Sequence, residues 1–154
     1  MSSAIYVDTS ALAKRYLREA GSEQFDRFLG RLTSVSISRL TTVELRCLLG
    51  RRRRNRDIDA AAEHRVARAF ESDSAQGFIE IHALEDRHAI GAGDILNRLN
   101  SIPLRTLDAL HLAIATDIGA DTVATADDTF AKAATALRLR IEWFGGPGRT
   151  GRRR

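Results

Sequence analysis

The sequence of 154 residues has one cysteine, two lysines and two prolines. A single thiol, Cys47, excludes an internal disulfide framework and any zinc cluster built on cysteines. No apolar run approaches the ~18 residues that a membrane span needs. The start, MSSAIYVD, lacks the basic residues and long apolar stretch of a signal peptide. These absences predict a cytoplasmic protein without a membrane partner.

The length and the 44% hydrophobic content are typical of one domain with its own core. No GxxxxGK[ST] segment is present, which excludes nucleotide hydrolysis of the P-loop kind. The only Gly/Pro-rich stretch begins at Gly145. We therefore expect a single domain over residues 1–146 and a basic, disordered tail over residues 147–154.

The positive charge is almost all arginine and is clustered. The tail residues 149–154 hold four arginines and no acid, and without them the net charge of +4 falls to zero. A second cluster consists of Arg51 to Arg54 and Arg56. Arginine suits phosphate contacts, so the clusters are compatible with a nucleic-acid partner. A solvated helix end and a disordered tail explain them equally well.

Short apolar segments alternate with amphipathic ones along the chain. Predicted strands cover 4–8, 33–38, 77–84, 121–126 and 139–144. Predicted helices cover 9–19, 22–31, 41–54, 57–75, 85–100, 106–118 and 128–137. This alternation predicts an α/β fold with a mostly parallel sheet of four to five strands and helices on both faces. Ligands of such sheets bind beyond the carboxyl ends of the strands.

Two helices carry further expectations. In the helix over 41–54, Val43, Leu45, Leu48 and Leu49 predict one buried stripe, and Cys47 is expected to be a small buried hydrophobe. The helix over 85–100 contains the segment GAGD, which predicts a weak point with an exposed aspartate at position 94.

Four acids fall near the predicted carboxyl edge. Asp8 closes the first strand, Asp127 follows the fourth, and Asp108 and Glu44 lie early in helices that leave the edge. Each has a structural alternative. Asp8 and Asp127 could be helix N-caps, Asp108 could complement a helix dipole with Thr106 as the cap, and Glu44 could pair with a surface arginine. Capping does not explain Glu44, because it stands between two apolar residues.

Four converging carboxylates would need cations, since like charges at short range repel. Oxygen ligands select Mg²⁺, or Mn²⁺ in its place, and the natural chemistry is metal-assisted phosphodiester hydrolysis. Neighbouring hydroxyls could hydrogen-bond the carboxylates or their waters, namely Thr9, Ser10, Thr106 and Thr125. His111, three residues after Asp108, is expected to be a packed core histidine rather than a catalyst.

Four segments in this order resemble a PIN-domain ribonuclease of the VapC-like toxin type: IYVDTSALAKRY, TTVELRCLL, RTLDALHLAIA and VATADDTFAKAA. The resemblance implies a three-layer α/β/α sandwich and a Mg²⁺-dependent endoribonuclease in which metal-activated water hydrolyses RNA. It makes Asp8 and Asp108 the principal Mg²⁺ ligands, which Glu44 and Asp127 complete. Ser10 and Thr125 resemble its flanking hydroxyl residues.

The same resemblance implies a toxin neutralised by a cognate VapB-like antitoxin, a homodimer, and promoter DNA bound only through the antitoxin complex. Its T-x-D pattern selects Asp127, and Asp128 would begin the helix and point away. Arg105 and Arg46 stand near the acids and are candidates to contact RNA.

Two other functions stay open from the sequence. A non-catalytic nucleic-acid- or partner-binding module would use the arginine clusters and would not need the acids. A phosphoacceptor or phosphatase domain fits less well. Ser10 stands where the phosphatase pattern wants a second aspartate, and Lys132 falls inside a predicted helix, not late in the sheet.

Overall fold

The computed structural model describes residues 3–146. Its strands are β1 (Ala4–Val7), β2 (Val35–Ser38), β3 (Ile79–His82), β4 (Ala120–Thr125) and β5 (Arg140–Trp143). Its helices are α1 (Thr9–Tyr16), α2 (Ser22–Leu29), α3 (Arg39–Arg54), α4 (Ala60–Ala75), α5 (Asp86–Arg98), α6 (Thr106–Asp117) and α7 (Asp128–Ala136). The predicted alternation of strands and helices is confirmed element by element.

The five strands form one sheet in the order β3-β2-β1-β4-β5, and every pairing is parallel. The chain moves outward from β1 to β2 and β3, and then returns to the other side of β1 with β4 and β5. The strand order therefore reverses between β1 and β4. A crevice at the carboxyl ends of strands that flank such a reversal is where open α/β sheets bind ligands.

Successive side chains of the central strands point to opposite faces, as strand geometry requires. Tyr6 and Val123 belong to a core on the face covered by α5, α6 and α7. Val7 and Ala124 belong to a second core that includes α1 and α2. Two cores separated by one sheet make a three-layer α/β/α sandwich, which confirms the expected fold class.

Helix α3 differs from its sequence-based prediction. Leu45 and Leu49 are buried and pack against Val66 of α4, but Val43 is 64% exposed and Cys47 is exposed. The expected burial of Val43 and Cys47 was therefore wrong. Only a narrow stripe of α3 meets α4, so an apolar residue one or two positions away from the stripe already faces outward.

Helix α5 runs without a break through the GAGD segment, and Asp94 is exposed as predicted. No helix in residues 3–146 has the length and apolar character that a membrane crossing needs. The predicted tail over 147–154 lies outside the described residues, so the domain boundary at 146 stays a prediction.

Candidate active site

Asp8 lies where β1 ends and α1 begins. Its Oδ1 accepts the N-terminal backbone N–H of α1 at Ala11 (2.9 Å) and the hydroxyl of Ser10 (2.7 Å). Its Oδ2 accepts the hydroxyl of Thr125 at 2.5 Å. Burial raises the pKa of Asp8 to about 6, although these hydrogen bonds oppose the change. Asp8 is thus a buried carboxylate whose ionisation lowers the stability of the folded protein.

Asp127 is tied to the same point from the neighbouring strand. Its backbone N–H donates to the hydroxyl of Thr125 (3.0 Å), and its Oδ1 caps α7 by accepting the N–H of Phe130 (2.9 Å). Ser10 completes the link, since its hydroxyl oxygen accepts the N–H of Ala126 at 2.9 Å. The N-cap interpretation of Asp8 and Asp127 is therefore confirmed. Capping uses Oδ1 of each, whereas Oδ2 of Asp8 accepts the hydroxyl of Thr125 and Oδ2 of Asp127 faces Arg105.

Arg105 joins two of the acids. Its Nε lies 3.4 Å from Oδ2 of Asp108, and its Nη2 lies 3.5 Å from Oδ2 of Asp127. Burial raises the pKa of Asp108, and the nearby positive charge of Arg105 offsets part of that rise. The Arg105 side chain is 78% exposed, so water screens both ion pairs. The guanidinium supplies a cation where the two carboxylates would otherwise repel.

Glu44 reaches the edge from α3 and is held by two hydrogen bonds. Thr9 donates its hydroxyl to Oε1 at 2.9 Å, and Nε2 of His111 bonds the same oxygen. His111 is buried, and its Nδ1 lies 2.6 Å from the hydroxyl of Tyr6. Burial alone would raise the pKa of Glu44, but the hydrogen bond and charge of His111 outweigh it, so the net pKa is below its ordinary value.

Some expectations about neighbouring residues were wrong. Thr106 is exposed and hydrogen-bonds none of the four acids among the described residues, and the N-cap of α6 is Arg105. Arg46 lines a cleft between α3 and α4 instead of the acidic edge. Asp128 does begin α7, and it pairs with Lys132 at 2.7 Å. His111 is a packed histidine, as expected, but its contact with Glu44 was not foreseen.

Tyr6 is the residue that sequence reasoning missed. In the sequence it looks like an ordinary core-facing residue of β1. Its hydrogen bond to His111 joins positions that are 105 residues apart in the sequence. The periodicity of a single strand carries no signal for such a pair. The one hint in the sequence was a tyrosine hydroxyl at the last residue but one of an apolar strand.

The four acids supply only oxygen donors at one edge, which fits a hard divalent cation such as Mg²⁺. As the side chains stand, residues 3–146 contain no group of three His, Cys, Asp or Glu able to hold a metal ion. Arg105 lies between Asp108 and Asp127, and Glu44 is bonded to His111. A cation therefore fits the donor chemistry of the site but has to displace Arg105.

Together the fold and site define a doubly wound α/β domain with acidic side chains at the reversal of its strand order. The chain belongs to the PIN domain family, whose model matches residues 5–136. No curated protein matches the sequence significantly.

Solved structures share the fold. A "Sarcin-Ricin loop cleaving toxin", VapC20 of Mycobacterium tuberculosis, is 22% identical with a TM-score of 0.69, over 84% of this chain and 95% of that one. FitAcB of Neisseria gonorrhoeae is 18% identical with a TM-score of 0.67, over 89% and 95%. DNA-bound VapBC of Salmonella typhimurium is 21% identical with a TM-score of 0.62, over 93% and 99%.

Proposed function

We propose that this protein is a Mg²⁺-dependent endoribonuclease and the toxin of a toxin–antitoxin pair. One observation carries the proposal. Carboxylates from four separate elements, Asp8 after β1, Glu44 in α3, Asp108 in α6 and Asp127 before α7, lie at the edge where the strand order reverses. A structural role explains the caps at Asp8 and Asp127, but it does not explain why Glu44 and Asp108 are half-buried beside them.

In this proposal Asp8 and Asp108 are the main ligands of Mg²⁺, or of Mn²⁺ in its place, and Glu44 and Asp127 complete the set. The cation would lower the pKa of water and neutralise charge on the phosphodiester. Ser10 and Thr125 fix the orientation of Asp8.

Arg105, once the cation has displaced it from Asp108 and Asp127, would be available to bind the phosphate of the substrate. Hydrolysis adds water across the P–O3′ bond, which leaves a 5′-phosphate on one fragment and a 3′-hydroxyl on the other.

The structural relatives support the biological role. Several are described as toxin–antitoxin or VapBC and FitAB complexes, some bound to promoter or other DNA. By analogy, we propose a VapB-like antitoxin that neutralises this chain, promoter DNA bound only through that complex, and a homodimer. RNA as the substrate is supported by the description of VapC20. A cytoplasmic location remains a prediction.

The direct test compares two aspartate variants of the purified protein. Asp108→Asn removes a proposed ligand, whereas Asp94→Asn removes an exposed acid on α5. We expect the parent and Asp94→Asn to cleave total RNA in the presence of Mg²⁺, and EDTA should stop this cleavage. The cleavage rate of Asp108→Asn should be lower than that of the parent by about 100-fold or more. Equal cleavage by both variants, or cleavage that persists in EDTA, would contradict the proposal.

A further inference from the structure

The face of α3 that carries Glu44 continues along the helix as one side of a groove. Cys47 and Leu48 follow Glu44 by three and four residues, and Arg51 and Arg54 continue from Leu48 at spacings of three, so these residues lie on one side of the helix. The groove has a volume of about 470 Å³, and its other lining residues are Thr9, Ser10, Arg105 and Leu107. It therefore begins at the acidic site and leads away from it.

The four consecutive arginines of α3 divide into two pairs with different surroundings. Arg52 pairs with Glu19 at 3.2 Å, and Arg53 pairs with Glu63 at 3.0 Å. Arg51 and Arg54 are exposed in the groove, and within residues 3–146 neither forms an ion pair. The ion pairs of the fold therefore account for Arg52 and Arg53. The charges of Arg51 and Arg54 are available to a ligand.

The groove also has an apolar floor. Leu107 is 44% exposed at the start of α6, and Leu48 faces it from α3. Two flanking cations and an apolar floor match the two parts of an unpaired nucleotide, which are a charged phosphate and a base with an apolar face. A rise of 1.5 Å per residue puts Arg51 about 10 Å and Arg54 about 15 Å along α3 from Glu44.

A larger cavity elsewhere does not compete for this role. It has a volume of about 740 Å³ and lies between α1, α2 and α4. Its arginines are already engaged, because Arg15 bonds Asp73 at 2.7 Å and Arg18 bonds Asp26 at 2.7 Å. The unpaired positive charge next to the acids is in the Arg51–Arg54 groove.

We propose that this groove holds a single RNA strand next to the scissile bond, with phosphates at Arg51 and Arg54 and a base against Leu48 and Leu107. The proposal rests on the proposed nuclease function, because the groove opens at its acids. It gives a function to Arg51 and Arg54, two members of the arginine cluster that the sequence alone explained equally well as a solvated helix end.

The test measures RNA binding separately from cleavage, in an Asp8→Asn background. Two variants each lose two positive charges from the same helix: Arg51→Gln/Arg54→Gln and, as the matched control, Arg52→Gln/Arg53→Gln. The probe is a short fluorescein-labelled single-stranded RNA of mixed sequence, titrated at several salt concentrations. Thermal unfolding checks each fold, and Arg65→Gln/Arg68→Gln on the exposed side of α4 is a second control that breaks no ion pair of α3.

We expect Arg51→Gln/Arg54→Gln to bind more weakly and to lower the slope of log affinity against log salt by about 1.4, since each phosphate contact with a single strand contributes about 0.7. The controls should keep the slope of the background protein. An unchanged slope in Arg51→Gln/Arg54→Gln, or an equal loss in all variants, overturns the proposal and leaves the groove to a protein partner. Absence of cleavage by the parent would defeat the nuclease proposal without altering this binding result.

Discussion

Asp8 is 5% exposed, and its pKa of about 6 lies above that of an aspartate in an unfolded chain. The folded state therefore binds the proton more tightly, and ionised Asp8 destabilises the metal-free protein above pH 6. The destabilisation is fully present above pH 6 and disappears as the pH falls through 6 towards 4. The difference between the pKa of Asp8 in the folded protein and that of an unfolded aspartate corresponds to on the order of 3 kcal/mol in the free energy of unfolding.

Replacement of Asp8 by asparagine should therefore stabilise the metal-free protein at pH 8 while it abolishes cleavage. Asparagine still caps α1 and carries no charge. We expect a melting temperature several degrees above that of the parent at pH 8 and no difference near pH 4. The exposed Asp121, which pairs with Arg140, is the control, and Asp121→Asn should not raise the melting temperature. A lower melting temperature for Asp8→Asn at pH 8 would contradict the electrostatic account.

The chain has two tyrosines, and the hydroxyl of each forms a side-chain hydrogen bond of 2.6 Å. Tyr6 bonds His111, which holds Glu44, whereas Tyr16 bonds Asp73 away from the acids. Both Tyr→Phe variants should lose about 1–2 kcal/mol of stability in urea unfolding. Only Tyr6→Phe should also slow cleavage, because His111 then loses the bond that fixes which ring nitrogen faces Glu44. Equal activity of the two variants would show that the bond is merely structural.

At this scale the sequence predicted which acids lie at the strand ends, because Asp8 and Asp127 each follow an apolar run directly. It did not predict what holds Glu44. The contact with His111 depends on how α3 and α6 are placed around β1, and helical periodicity does not contain that information.

Among the elements, helix α5 offers a site where a substitution should raise the stability of the protein, because it contains a glycine that neither its backbone conformation nor its packing requires. Gly93 lies inside the helix, is exposed, and has no atom within 4 Å of the position that a Cβ would take. Gly93→Ala should stabilise the protein by about 0.5–1 kcal/mol. Gly119, between α6 and β4, also has open space but a φ of +70°, so Gly119→Ala should destabilise it. Urea unfolding that gave both variants the same sign would contradict this distinction.

Element types and boundaries were largely predictable because each strand is a short apolar run and each helix has its own periodicity. The errors on α3 have one physical cause. Its sequence offers several apolar residues, but only Leu45 and Leu49 are fully buried against α4, with Leu48 partly buried beside them. Which part of an apolar surface becomes buried depends on the partner helix, so the exposure of Val43 and Cys47 followed from packing.

For the whole molecule, the topology brings the site together. β1 and β4 are adjacent in the sheet but distant in sequence, and their register pairs Val7 with Ala124. That pairing places Asp8 beside Thr125 and Asp127. The sequence predicted a parallel sheet with a ligand edge, but the order β3-β2-β1-β4-β5 was not predicted. The strand order is what turns separate acids into one site.

The most direct measurement expresses the protein alone in a tractable bacterium and maps new 5′-phosphate ends across total RNA, with Asp8→Asn at a matched level. A selective nuclease is detected this way even when it ignores a test oligonucleotide. We expect new ends in the parent alone, at sites that share a sequence or a structure. Identical maps for the parent and the variant, with both proteins folded, would contradict the claim that this edge of the sheet cleaves RNA.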